Sequence, residues 1–137
     1  MKMTGNWLRL PMMVAVAGMM ALTGCATPNA TVEIDGDVWY RERIALPPEA
    51  VLTVQVQDVS KADAPAEVLA VIQRDSVTSP TPFKFILARD QFQSGHSYSV
   101  SARITLKDNL LFINTQAYLV DIDKAEPVSV MVQKVGR

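Results

Sequence analysis

The chain of 137 residues has a single cysteine and a single histidine, and these two side chains bound its chemistry. Cys25 follows Leu22, Thr23 and Gly24 at the end of an apolar run. A thiol is a good nucleophile once deprotonated, and the slim residues before it fit a peptidase groove. Such a thiol can carry a covalent group. His96 stands next to Gly95 in a predicted turn. A metal site needs several His, Cys or carboxylate ligands converging. The spacing supplies none, so no metal ligands are assigned and a solvated turn histidine is expected. A serine nucleophile needs a histidine base held by an acid, and only the folded chain can say whether His96 has such neighbours. No catalytic residue is assigned, and the chain is expected not to be an enzyme.

The elements before Cys25 explain its setting. Lys2 and Arg9 make the front of the chain positive, Leu10 to Leu22 is almost wholly apolar, and small residues close the run, as in a secretory signal. The run is shorter than the roughly 20 residues needed to span a bilayer, and Pro11 shortens any helix further. The stretch Leu22-Thr23-Gly24-Cys25 resembles the lipobox of bacterial lipoproteins. That resemblance implies a diacylglyceryl group on the Cys25 sulfur, cleavage before Cys25 by the lipoprotein signal peptidase, and a further acyl chain on the new amino group. No other cofactor is expected. Each buried methylene contributes about 0.8 kcal/mol, so two or more chains anchor firmly. Ala26 follows where the class uses Asp for inner-membrane retention, which implies the outer membrane, facing the periplasm. The alternatives are an ordinary signal peptide with an incidental Cys, or a short uncleaved anchor. The expected organisation is a signal peptide over 1–24, a lipidated Cys and tether over 25–31, and one domain over 32–137.

The formal charge is -1 and the pI about 5.7, with no basic run. Nucleic-acid binding needs a concentrated basic face and is discounted. Six of the seven methionines precede Cys25, leaving Met131 in the mature domain.

β-patterning fills the mature chain. Val32 and Ile34 alternate with polar residues, and Asp35-Gly36-Asp37 is expected as a bulge. Val38 to Tyr40 resume the strand, which is predicted to run through Arg41, Glu42 and Arg43 to Leu46, where Pro47-Pro48 stops it. Val51 to Gln57 is a period-two strand. Asp58 to Pro65 is loop chemistry, with Asp58 and Ser60 bonding back to nearby amides. Val68 to Gln73 is expected as a strand, with a helical turn as the alternative. A second strand start follows Ser79-Pro80-Thr81-Pro82, with Phe83 and Phe85 in the core. Tyr98 to Leu106 gives the strongest alternation, and the turn Lys107-Asp108-Asn109 folds it into a hairpin with Leu110 to Val120. Val128, Val130 and Val132 form a last strand. All the mature-domain prolines after the tether are placed between strands. About seven strands with regular turn signals predict an all-β, single antiparallel β-sandwich of immunoglobulin-like type.

Three residues are candidates for partner binding. Trp39 falls on the face opposite the neighbouring valines, as does Met131; an exposed Trp anchors partners, though it serves equally to cover a sheet edge. Arg43 and Arg103 are placed in strands. Either can pair with Glu42 or Asp58, or offer a fork to a partner carboxylate. A bare sheet edge accepting an extended segment is a further route.

The stretch from Val38 through Arg43-Ile44-Ala45-Leu46-Pro47-Pro48 into Val54, then Asp58-Val59-Ser60, Ala62-Asp63-Ala64, Pro82-Phe83 and Tyr98 to Ile104, resembles the YbaY/YscW family of lipoproteins. The chain looks closer to the YbaY branch; the YscW branch serves as type III secretion pilotins. The resemblance implies a compact β-sandwich on an outer-membrane lipid anchor. It also implies an envelope protein partner such as a secretin-like component, and it carries over no catalytic residues. The expected function is a non-catalytic binding and assembly module, pilotin-like. The alternative is a ligand-binding or inhibitory envelope lipoprotein, with a deep pocket at Trp39, Tyr40 or Tyr98.

Overall fold

The computed structural model describes residues 31–124 and 126–136, so the lipobox positions Leu22 to Cys25, the signal and most of the tether lie outside it. Nine strands appear among the described residues: β1 Thr31–Trp39, β2 Ala50–Asp58, β3 Glu67–Arg74, β4 Thr81–Ala88, β5 Tyr98–Leu106, β6 Asn109–Ile113, β7 Tyr118–Val120, β8 Val128–Met131 and β9 Gln133–Lys134. They make two sheets, one ordered β4-β1-β8 and one ordered β3-β2-β5-β6-β9 with β7 also on β5. A single core lies between them. Alternating residues supply it: Leu52, Val54 and Val56 from β2, Val100, Ala102 and Ile104 from β5, Phe83 and Phe85 from β4. The all-β sandwich read from the alternation is therefore the fold, and the pairing is antiparallel with one exception.

That exception corrects the reading of Gly36. β1 pairs with β4 in unbroken register from Thr31 to Val38, so Asp35-Gly36-Asp37 is no bulge. β8 lies parallel to β1 on its other side, with Gly36 facing Val128. A Cβ on Gly36 would stand 1.8 Å from the Val128 carbonyl oxygen. The glycine is there for the close approach of two backbones.

The strand count rises above seven for two reasons. Leu110 to Val120 is not one strand. Asn114 interrupts it: its side-chain oxygen accepts from the Ala102 N–H and its own N–H donates to the Ala102 carbonyl, and β6 and β7 pair with β5 on either side of that point. The final valine run likewise divides: β8 belongs to the smaller sheet, β9 to the larger, and Val132 between them is buried. Pro82 sits inside β4, not between strands. β4 is an edge strand, and an edge tolerates a residue without an N–H.

The hairpin turn is as expected. Lys107 and Asp108 both have positive φ, 50° and 69°, the geometry of the two-residue turn that matches strand twist.

Candidate functional site

Strand pairing sorts the loops onto two ends. Thr31 pairs with Ala88, Asp58 with Tyr98 and Glu67, and Tyr98 with Val120, so the start of β1 shares an end with residues 58–67, 88–98 and 120–127. Val38 pairs with Thr81, Ala50 with Leu106 and Leu52 with Arg74, so the opposite end gathers residues 40–50, 74–81 and 106–109.

A large concavity lies at that second end. It is an open groove of about 720 Å³ between residues 40–48 and 76–79. The strand predicted to continue from Tyr40 to Leu46 is instead irregular. Ser79 is the cause: its hydroxyl accepts from the Tyr40 N–H at 3.0 Å and donates to the Tyr40 carbonyl at 3.1 Å, so a side chain takes the place of the next strand neighbour. Tyr40 is buried, with its ring 5.0 Å from that of Phe112, and its hydroxyl donates to the Ile44 carbonyl at 3.1 Å. Burial, reinforced by the Glu42 carboxylate, pushes the Tyr40 hydroxyl above its ordinary pKa, so it stays a neutral donor. The Ala50 N–H donates to the Pro47 carbonyl and closes the loop back into β2.

The groove wall thus presents the stretch that carried the family resemblance. Ile44 is 48% exposed, and Arg41 and Arg43 are exposed beside it. One oxygen of Glu42 is buried without a hydrogen-bond partner among the described residues. The arrangement offers apolar contact, two guanidinium forks and one acceptor in want of a donor.

The candidates named from the sequence are not gathered here. Arg43 lines the groove, but from a loop rather than a strand. Trp39 ends β1, half-buried and paired with Met131, and does not line the groove. Arg103 lies in β5 on the outward face between Thr53 and Ile113. The expected pairing of Arg43 or Arg103 with Glu42 or Asp58 is not found among the described residues. Asp58 has a different partner.

That partner is His96, at the other end. Its Nδ1 lies 2.6 Å from Asp58 Oδ2, and the side chain is half-buried rather than solvated as expected. Asp58 Oδ1 accepts from both the Ser60 N–H at 2.9 Å and the Ser60 hydroxyl at 2.6 Å, and the Ser60 oxygen accepts from the Ser97 N–H at 2.8 Å. The Ser60 hydroxyl, then His96, hold the Asp58 carboxyl down at about 2. Serine, histidine and aspartate do meet, but in the wrong order for nucleophile activation: the hydroxyl is bonded to the acid and not to the base. The cluster staples the end of β2 to the start of β5. Tyr98 adds to it, accepting from the Gln93 N–H at 2.6 Å. A separate concavity of about 430 Å³ lies beside His96 and Tyr98; of the residues expected to line a ligand pocket, Tyr40 lines the groove, Tyr98 this second concavity and Trp39 neither. Among the described residues no group of three metal-ligating side chains forms, and no helix is long and apolar enough to cross a membrane.

Sequence reasoning missed the groove and the staple for the same reason. Each is closed by a side chain nearly forty positions away, Ser79 on Tyr40 and His96 on Asp58.

Comparison with known proteins places this architecture. The chain is 43% identical over 82 residues to the uncharacterized lipoprotein YbaY of Escherichia coli (strain K12), covering 58% of this chain and 43% of the relative. It therefore spans less than half the length of that relative. Among solved structures it is similar to an alternative pilotin from the type II secretion system of Vibrio cholerae, with a TM-score of 0.72 and 40% identity over 79% of this chain and all of the pilotin. The family model described as type III secretion system lipoprotein chaperone matches residues 29–133, nearly the whole sandwich, and the chain belongs to that YscW family.

Proposed function

We propose that this protein is a lipid-anchored, periplasm-facing outer-membrane lipoprotein that acts as a non-catalytic, pilotin-like chaperone for an envelope secretion component, held in the groove of residues 40–48 and 76–79. The observation that carries the reading is the position of that groove. Cys25 is six residues before Thr31, which gives a tether of at most about 20 Å. β1 then rises nine residues away from it, so the groove stands roughly 25–30 Å beyond the anchored end. A chain moored at one end presents its open, apolar and cationic surface at the other. Such a surface suits a protein segment, since anchors of this kind seat apolar groups and fix carboxylates with arginine forks. The family membership and the likeness to a pilotin support a secretin-like partner.

The test is expression of the full chain with the channel subunit of a secretion system. The expected result is membrane-bound chain with a fully acylated Cys25 by mass spectrometry, and channel multimers in the outer membrane that disappear with Cys25→Ser. Channel assembly that is indifferent to the chain rejects the chaperone role, and an unmodified Cys25 rejects the anchor.

A further inference from the structure

The free strand edges of this sandwich are not alike. β4, an edge of the smaller sheet, carries Pro82, which has no N–H to offer, and Lys84, which reaches Glu33 at 3.4 Å; both devices blunt an edge. β8, β7 and β9 have four, three and two residues, too short to template a partner strand. β3 has eight residues, pairs only with β2 among the described residues, and contains neither proline nor lysine. Its centre is Leu69-Ala70-Val71-Ile72, and Val71 is 51% exposed. The one irregularity is an extra residue, Leu69, at the Val56–Gln57 step. From Ala70 to Arg74 the pairing with β2 is regular, which leaves the outward backbone groups of that stretch as an open ladder. Just past Arg74 the chain becomes the Ser76–Ser79 wall of the groove. Edge and groove make one continuous path.

We propose that β3 is a docking edge for an extended segment of the partner protein. That segment is apolar and β-branched, pairs antiparallel with Ala70–Arg74, and is led by acidic residues lying against Arg74, Arg41 and Arg43. The proposal rests on the groove being the partner site and adds how the partner is held. The charge argues for an acidic lead, because none of these three arginines has an ion-pair partner among the described residues. Antiparallel pairing is the more stable mode per residue. A second copy of this chain is the rival occupant, since β3 against β3 sets Glu67 opposite Arg74. That pairing turns the second copy end over end. With the strands upright on the bilayer, its tethered end is carried roughly 25–30 Å from the surface, beyond its tether of at most about 20 Å.

Amide hydrogen exchange on the full lipidated chain in lipid nanodiscs tests this. The probe is a capped synthetic peptide of two aspartates followed by six alternating valines and threonines, and the control has lysines for the aspartates. The outward amides of Ala70–Arg74 are expected to slow about tenfold at a peptide concentration ten times the measured Kd. Val71→Lys is expected to weaken binding about fivefold with the thermal midpoint unchanged, and the lysine-led peptide to bind more weakly still. Protection confined to residues 41–48 and 76–79 overturns the edge while sparing the groove. No protection at either place at millimolar peptide overturns both. Protection of β3 that grows with protein concentration in the absence of peptide makes a second copy the occupant and overturns the proposal.

Discussion

The two ends of the sandwich are finished in opposite ways. At the end where β1 begins, side chains tie loop to loop: Asp58 to Ser60 and His96, Ser60 to Ser97, Tyr98 to Gln93, and Arg89 to Asp123. Polar groups there satisfy one another. At the far end the wall of residues 41–48 hangs on the Tyr40 hydroxyl and the Ala50–Pro47 bond, while Ile44, Arg41 and Arg43 face outward and a Glu42 oxygen has no partner among the described residues. A self-satisfied end has little left to offer a partner. The end that leaves apolar and charged groups open is the one we propose receives it, at some cost in local order.

The contrast can be broken from the core outward. Phe112→Ala removes the ring beneath Tyr40, a fully buried side chain; denaturant melts should show a loss of about 3–5 kcal/mol, with the groove wall lost before the opposite end by hydrogen exchange. Gly36→Ala drives a methyl into the Val128 carbonyl and should cost about 1–3 kcal/mol or more, prising β8 from β1 and weakening both ends alike. Tyr40→Phe deletes only the bond to Ile44 and should cost about 1 kcal/mol, with faster exchange confined to residues 41–48.

The end where β1 begins has its own signature in acid. The folded Asp58 carboxyl sits at about 2, below the ordinary 3.8. Its contribution to stability is therefore complete above that ordinary value and is lost as pH falls through about 2. Asp58→Asn should flatten this part of a stability–pH curve and leave the groove undisturbed. Arg43→Ala should change stability by no more than about 0.5 kcal/mol and act on partner affinity alone.

Much of this was legible in the chain. Period-two alternation placed β2, β4 and β5, because each has one buried face. The lysine-aspartate turn marked the hairpin, and Asp58-Ser60 marked a loop that bonds to itself. The misreadings are all cases where a distant group decides. Ile44 and Leu46 alternate like strand residues, but Ser79 ends β1 before them. Gly36 looks like a bulge until a parallel strand is laid beside it. Asn114 and Val132 break strands because the chain changes its partners there, and nothing local announces the change. All three candidate binding residues, Trp39, Arg43 and Arg103, lie in stretches that resembled a family, yet only Arg43 lines the groove, because strand pairing sets Trp39 against Met131 and Arg103 on the outward face of β5.

The central claim is that the end remote from the tether receives the partner. Photo-crosslinking in cells tests it most directly, with a benzophenone amino acid at Ile44 in the groove wall or at Asp123 on the end where β1 begins, and adducts identified by mass spectrometry. The account predicts an adduct between position 44 and a subunit of an outer-membrane secretion channel, and none from position 123. The same subunit captured from position 123 and not from position 44 would contradict it.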